Sequence, residues 1–252
     1  MDLGDMQDAG PSGHTYLDFN APLSDLRAAE LIASLQPLAR ARVLDLGCGW
    51  AELLLRLLEA EPTARGVGVD TDPQAIARGR ANAEARGLTE RVRLEQADVV
   101  GWNGEVVDVL IIVGASHAWG GTRQTLQAAR QRLRPGGRLL FGEGIWQRPP
   151  TPQALAGLDA EPDQFGSLPD LVELAIDCGY RPLSVSVANT DEWDAFESGW
   201  CAGRERWLLR HPDDPAAAEV RSVVEAHRNG WLRGYREVFG FAYLTLGLPT
   251  SS

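Results

Sequence analysis

Short apolar runs alternate with stretches of helical spacing from Ser24 onward. Leu26, Ala29, Ile32, Ala33 and Leu35 recur at helical intervals, and Pro37 marks the end of that helix. Arg42–Leu46 then reads as a strand, Trp50–Glu59 as a helix and Ala64–Val69 as a second strand. Asp72 followed by Pro73 starts a helix, with a capping carboxylate and a proline at the first helical position. That helix runs toward Arg86, and Gly87 suits the left-handed residue beyond its end. Arg91–Glu95 and Val106–Val113 are the third and fourth strands, Thr122–Leu133 is a helix, and Arg138–Glu143 is the fifth strand. Arg134-Pro135-Gly136-Gly137 reads as the turn between the last two. Strands alternating with helices imply βαβ units, a parallel sheet and right-handed crossovers. Val106–Val113 (VVDVLIIV) is almost continuously apolar, as a central strand buried on both faces should be.

The rhythm changes after residue 150. Pro149, Pro150 and Pro152 predict a loop, Ser167–Cys178 a helix capped by Ser167, and Leu183–Ala188 a sixth strand. Residues 191–237 read as helical and aromatic-rich, broken at His211–Pro215, before a last strand at Phe239–Leu246. So long an insertion between two late strands is a lid candidate. The expected fold class is α/β: a doubly wound, mostly parallel seven-stranded sheet with a helical lid at 191–237. A disordered, acidic tail is expected at 1–13, with a single domain over 14–252.

Composition narrows the function. A hydrophobic share of 44 % and a charged share of 23 % are ordinary for a chain that buries a core. No apolar run approaches the ~18 residues of a spanning helix, and the start lacks a basic, apolar leader. A cytoplasmic protein without a membrane partner is therefore expected. The 35 acidic residues outweigh the 24 basic ones, giving −11, and every basic residue is arginine. The absence of lysine excludes Schiff-base chemistry and a P-loop. Lacking a basic face, the chain is not expected to bind nucleic acid. Cys48, Cys178 and Cys201 are too scattered for a disulfide framework, and no metal site is expected from the four histidines.

Three strand ends carry candidate chemistry. Val43-Leu44-Asp45-Leu46-Gly47-Cys48-Gly49-Trp50 closes the first strand with a Gly-x-Gly turn, which lets backbone approach a ligand. The third glycine of a dinucleotide fingerprint is missing, since position 52 is Glu, whose charge would oppose a pyrophosphate. The second strand ends in Asp70, 21 residues after Gly49, where an acid suits the two hydroxyls of a ribose. Asp72 is better placed than Asp70 to cap the following helix. Gln96-Ala97-Asp98-Val99 follows the third strand, with Asp98 suited to an adenine amino group.

Together VLDLGCGW (43–50), VGVDTD (67–72), QADV (96–99), DVLIIVG (108–114) and LRPGGRLLFGE (133–143) resemble the class I S-adenosylmethionine (SAM)-dependent methyltransferases. The resemblance implies a Rossmann-like fold, SAM as cofactor and methyl transfer as the activity. It places Asp45, Gly47, Cys48 and Gly49 at the methionine end of SAM and Asp70 with Thr71 at the ribose. Ala97, Asp98 and Val99 fall at the adenine, and Gly114 closes the set. Trp50-Ala51 departs from the family's more usual small-Gly pair. A narrower resemblance covers about residues 14–247. His14, GASHAWGG (114–121), GEGIW (142–146), Glu192-Trp193-Asp194 and REVFG (236–240) are similar to a bacterial methyltransferase-domain subgroup often called cyclopropane-fatty-acid-synthase-like. That resemblance leaves the acceptor open, because a fold and a cofactor site do not specify it.

Ligands of open parallel sheets sit beyond the carboxyl ends of the strands, which draws attention to His117 and Glu143. His117 is the preferred base, against a reading as a backbone-bonded residue of a Gly-rich turn. Glu143 is a second base or a holder of a cationic acceptor, against an Arg-paired carboxylate. His14 lies in an N-terminal segment that often folds over SAM in this class. His211 and His227 read as surface residues. Trp193, Phe196, Trp200 and Trp207 lie at helical spacing, as a packing stripe or as aromatic walls. Trp119, Trp146 and Trp193 are the candidate acceptor-pocket residues. The expected partner is a small-molecule acceptor. The rivals are a nicotinamide-dependent oxidoreductase, a non-catalytic SAM-binding protein and a cyclopropane synthase, the last at odds with the acidic charge at an anionic bilayer.

Overall fold

A computed structural model describes residues 12–250. The expected disorder at 1–13 lies outside the described residues as far as residue 11, while Gly13 is buried in a turn. Seven strands, β1 (Arg42–Leu46), β2 (Arg65–Asp70), β3 (Val92–Gln96), β4 (Val107–Val113), β5 (Leu133–Trp146), β6 (Arg181–Val187) and β7 (Phe239–Gly247), form one sheet. Their order is β3-β2-β1-β4-β5-β7-β6. Pairings β1–β2, β1–β4, β2–β3 and β4–β5 are parallel, and β6–β7 is antiparallel. This is the doubly wound Rossmann-like sheet that the pattern predicts. The chain winds outward from β1 to β3, then returns to place β4 on the other side of β1. That reversal opens a crevice at the carboxyl ends of β1 and β4, where such sheets take ligands.

The described chain divides into two compact units. One comprises Ser24–Gly144, Pro169–Val187 and the residues from Phe241 onward, and holds most of the sheet with α1 (Asp25–Ser34), α2 (Glu52–Ala60), α3 (Pro73–Ala85) and α4 (Thr122–Arg130). Val109–Ile112 of β4 are all buried, as the apolar run requires. Helix α6 (Leu168–Asp177) also belongs here except for its first residue.

The helical unit takes the described residues up to Leu23, Ile145–Leu168 and Ala188–Gly240. It therefore draws on three stretches of chain, of which the expected lid at 191–237 is one. It contains α5 (Pro152–Leu158), α7 (Thr190–Arg210), α8 (Ala217–Asn229) and a π-helical turn at Gly230–Tyr235. Asn189 and Glu192 cap α7 reciprocally, each side chain taking the other's backbone N–H at 2.9 Å. A Cβ on Gly157 would lie 2.9 Å from the Gly230 carbonyl oxygen, so α5 and the π-helical turn meet backbone to backbone.

Several expected boundaries move for identifiable reasons. Helix α1 buries Ala28, Leu31, Ile32 and Leu35, leaving Leu26 at 72 % exposure, because apolar residues surround more of this helix than one face. Helix α2 begins at Glu52 because Ala51 turns left-handed, with φ 58°. The predicted turn at 134–137 is instead a bulge inside β5. Val107 pairs with Leu133 and Val109 with Arg138, so the RPGG segment is extra length accommodated within the strand. The predicted proline loop contains α5, with Thr151 capping the Ala154 N–H at 3.1 Å and Pro152 at the start. Prolines that exclude a helix interior open one readily.

Candidate active site

The turn after β1 is held by backbone bonds to β2. The N–H groups of Gly47 and Cys48 both donate to the Val69 carbonyl, at 2.9 and 3.1 Å. Gly47 and Gly49 take φ of 76° and 54°, a region that side chains disfavour. A Cβ on Gly47 would lie 2.5 Å from Cβ of Ala115, whereas one on Gly49 would meet nothing within 4 Å. The loops after β1 and β4 thus touch at Gly47, and open space begins at Gly49. Ala51, just beyond the turn, adopts the left-handed conformation with φ 58°.

Asp70 ties this turn to the next loop. Its carboxylate accepts the Gly49 N–H at 2.7 Å through Oδ2 and the Asp72 N–H at 3.0 Å through Oδ1. Asp72 is the α3 cap, accepting the Gln74 N–H at 2.7 Å. The Ala97 N–H donates to the Asp70 carbonyl at 2.9 Å, which brings the ends of β2 and β3 together. Exposed Asp98 accepts the Val100 N–H at 2.9 Å, Val99 is buried, and the carbonyl of exposed Thr71 accepts from Gln96 at 3.3 Å. Asp45, Gly47, Cys48, Gly49, Asp70, Thr71, Ala97, Asp98 and Val99 therefore lie along one rim of the sheet. Gly114, with φ 71°, extends that rim after β4.

Asp45 is buried on β1, and its carboxyl is pushed up from 3.8 to about 8, by desolvation first and the charge of Asp70 second. Burial, then Asp45 and Asp70, likewise push the Cys48 thiol up, which keeps it protonated. The raised Asp45 value has a consequence for stability. The folded state binds this proton more tightly, so the stability associated with it is full below the unfolded value of 3.8 and is lost as pH rises toward 8. Asp45→Asn cannot ionise. Its melting temperature relative to the native chain should therefore rise between pH 5 and pH 9, and a difference independent of pH would refute the burial argument.

At the other side of the crevice, the Gly114 N–H donates to the Gly142 carbonyl at 2.9 Å, aligning the ends of β4 and β5. Ser116–Trp119 form a short 3-10 turn that the sequence reading did not contain. Wholly buried Thr125 fastens it, with its hydroxyl 3.2 Å from the Ser116 carbonyl and 2.8 Å from that of Gly121. This turn presents His117 exposed and Trp119 half-buried. Glu143 is buried and accepts the Gly144 N–H at 3.0 Å and the Thr122 hydroxyl at 3.3 Å. Burial pushes its carboxyl above the ordinary value, opposed by hydrogen bonds from Ser116, Gly144 and Thr122 and by the charge of His117. The fold thus brings His117 and Glu143 together. Sequence reasoning missed Ser116 and Thr122, although hydroxyls flanking the SHAWGGT segment were the available signal.

Other candidates fall in the helical unit. Trp146 and Trp193 belong to its interior aromatic cluster, each edge-on or tilted to Phe239, with centroids 5.3 and 5.8 Å away. The Trp146 indole N–H donates to the Pro162 carbonyl at 3.1 Å. Both side chains are buried in this cluster, and the Trp193 indole nitrogen is buried without a hydrogen-bond partner. His14 lies in a turn where its N–H donates to the Ser12 hydroxyl at 3.1 Å. His211 is exposed, as expected. His227 is half-buried and not the freely exposed residue expected. It stacks on Trp200 with ring centroids 3.6 Å apart and shares a 2.5 Å hydrogen bond with Glu197. Buried Glu197 also accepts the Tyr235 hydroxyl at 2.8 Å. The spacing Val220, Val224, His227, Trp231 marks that inward face and could have revealed it. Glu52 also departs from expectation, being ion-paired with Arg56 and Arg86 at 2.7 Å each. Its charge is neutralised, so the argument from Glu52 against a phosphate ligand loses its force.

Among the described residues, no group of three or more His, Cys, Asp or Glu side chains is arranged to hold a metal, and no helix is long and apolar enough to cross a membrane.

Comparison with known proteins adds to this geometry. A family profile described as a methyltransferase domain matches residues 44–139. The chain is similar to the Escherichia coli (strain K12) protein YjhP, 32 % identical over 89 % of this chain and 92 % of that one. It is similar in structure to a SAM-dependent methyltransferase from Thiobacillus denitrificans solved in complex with S-adenosyl-L-homocysteine. There the TM-score is 0.84 and the identity 31 %, covering 93 % of this chain and 95 % of that one. A trans-aconitate 2-methyltransferase from Methylobacterium nodulans is 30 % identical over 82 % of this chain and 72 % of its own length. Likenesses to a cyclopropane synthase from Mycobacterium tuberculosis and to a mycolic acid cyclopropane synthase stand at 14 and 16 % identity and speak to the fold alone.

Proposed function

Since the chain belongs to the SAM-dependent methyltransferases, we propose that it binds SAM along the rim of β1, β2 and β3 and methylates a small-molecule acceptor held beside His117 and Glu143. The observation that carries this reading is the convergence of the Gly47–Gly49 turn on the Asp70 carboxylate, with open space beginning at Gly49. Asp70 uses each oxygen once on a backbone amide, and each retains a lone pair for a ribose hydroxyl. Asp98 has a second oxygen for the adenine amino group, with Val99 as the apolar seat of the ring. Asp45, Gly47, Cys48 and Gly114 line the methionine end.

Bound SAM supplies a methyl group already made electrophilic by its sulfonium. The protein's task is then to position the acceptor, exclude water and move a proton. His117 takes the acceptor's proton, and the Thr125 clamp holds the turn that presents it. Glu143 fixes the acceptor by charge, with Trp119 in the same turn as an aromatic surface. Both Trp146 and Trp193 serve packing in this reading, and His14 has no assigned step. The oxidoreductase and non-catalytic alternatives give way to the family membership and to this acid–base pair.

Thermal melting tests the cofactor assignment. S-adenosylhomocysteine binds the native state only, so at about 100 times its Kd it should add ~2.7 kcal/mol of stability and raise Tm by several degrees. No shift at saturating ligand would overturn the reading.

A further inference from the structure

The proposed acceptor site contains an anomaly of charge, which names the class of acceptor once that reading of the site is accepted. Two glutamates of the sheet unit are almost equally buried, Glu52 at 7 % exposure and Glu143 at 5 %. Glu52 is neutralised by two guanidinium groups, from Arg56 and Arg86. Among the described residues, Glu143 pairs with no arginine. It is held instead by neutral donors, the Gly144 N–H and the hydroxyls of Ser116 and Thr122, with the His117 imidazole near enough to act on it. In a chain with 24 arginines, this carboxylate is built to be hydrogen-bonded and left without a permanent cation. The same end of the sheet carries the carboxylates of Asp70 and Asp98, which deepen the negative potential.

Burying a carboxylate costs free energy unless a positive charge offsets it, and the fold supplies none that is fixed. A ligand can. A second carboxylate entering the site would add like-charge repulsion to that cost. We propose that the acceptor presents a basic amine, received as an ammonium group against Glu143, and that this chain methylates nitrogen and not a carboxylate.

The residues present suffice for the step. The ammonium gives one proton to the His117 imidazole, which leaves a nitrogen lone pair. The nitrogen forms its bond to the methyl carbon as the carbon–sulfur bond breaks, and that electron pair stays on sulfur as a neutral thioether. The product is an N-methylammonium, so the positive charge that develops on nitrogen is again stabilised by Glu143. One proton leaves through His117.

Matched probes test the proposal on the full chain saturated with S-adenosylhomocysteine. Butylamine, phenethylamine and tryptamine would be compared by thermal melting with butyrate, hydrocinnamate and indolepropionate. At least one amine should raise Tm further and its acid partner should not, with the amine shift absent in Glu143→Gln and retained in part in Glu143→Asp. Labelled SAM should then pass its methyl to the amine that binds. An acid that stabilises as well as its amine partner, an amine shift that survives in Glu143→Gln, or no shift from any amine would each overturn the proposal. Should Glu143→Gln fail to fold, the amine-against-acid comparison in the native chain still decides. Failure of S-adenosylhomocysteine itself to shift Tm would instead sink the cofactor reading, a different outcome measured first.

Discussion

Replacing His117 by alanine should lower the methylation rate by about 10²–10⁴-fold, the span typical of a lost general base, while S-adenosylhomocysteine affinity stays unchanged. The expectation is clean because of where the residue sits. His117 is exposed in a four-residue turn whose shape is set by other groups, chiefly buried Thr125 and the Gly121 N–H bonded to the Ser116 carbonyl at 3.1 Å. Removing the imidazole therefore leaves the turn in place, and a substitution at such an exposed site changes stability by only about 0.5 kcal/mol. A rate loss would thus report chemistry and not folding. Steady-state rates on an accepted substrate and calorimetric titration of the cofactor product separate the two. A variant that turns over at the native rate would remove His117 from the mechanism and leave proton transfer to Glu143 or to water.

Asp70→Ala should weaken binding of S-adenosylhomocysteine by ~1–3 kcal/mol, which is roughly 5- to 150-fold in Kd. Two losses combine in that figure. The proposed ribose hydroxyls lose a charged acceptor, and the amides of Gly49 and Asp72, from two separate loops, lose the group that holds them together. Asp70→Asn keeps one side-chain oxygen and the size, so it should fall between native and alanine variants. Normal affinity in the alanine variant by calorimetry would refute the ribose assignment. A normal Kd with a lowered Tm would assign Asp70 a purely structural role.

The elements that the sequence reveals are those whose side chains pattern locally. VVDVLIIV is legible as a central strand because a strand buried on both faces has no polar alternation to obscure it. Asp72-Pro73 is legible as a helix start because cap and proline act within one turn. The rim of Asp45, the two glycines, Asp70 and Asp98 is legible because these residues lie at or just past the ends of β1, β2 and β3, and a parallel sheet gathers all such ends on one side. Less legible are features that depend on a partner distant in the chain. The RPGG segment reads as a turn, yet β4 beside it makes it a bulge. Glu52 reads as a free charge, yet Arg86 and Arg56 neutralise it, and Arg86 lies 34 residues away.

The sequence by itself determined the order of the seven strands along the chain, the doubly wound class and the set of acids and glycines at strand ends. These follow from hydrophobic period, capping and turn chemistry, all of which act over a few residues. Only the tertiary structure decided which ionisable groups stand alone. Glu52 and Glu143 look alike as letters, and Trp119, Trp146 and Trp193 look alike as pocket aromatics. Burial and hydrogen bonding depend on elements brought together from across the chain. That is why one glutamate is locked between guanidiniums while the other is buried at the end of β5, held by two hydroxyls and an amide without an arginine partner.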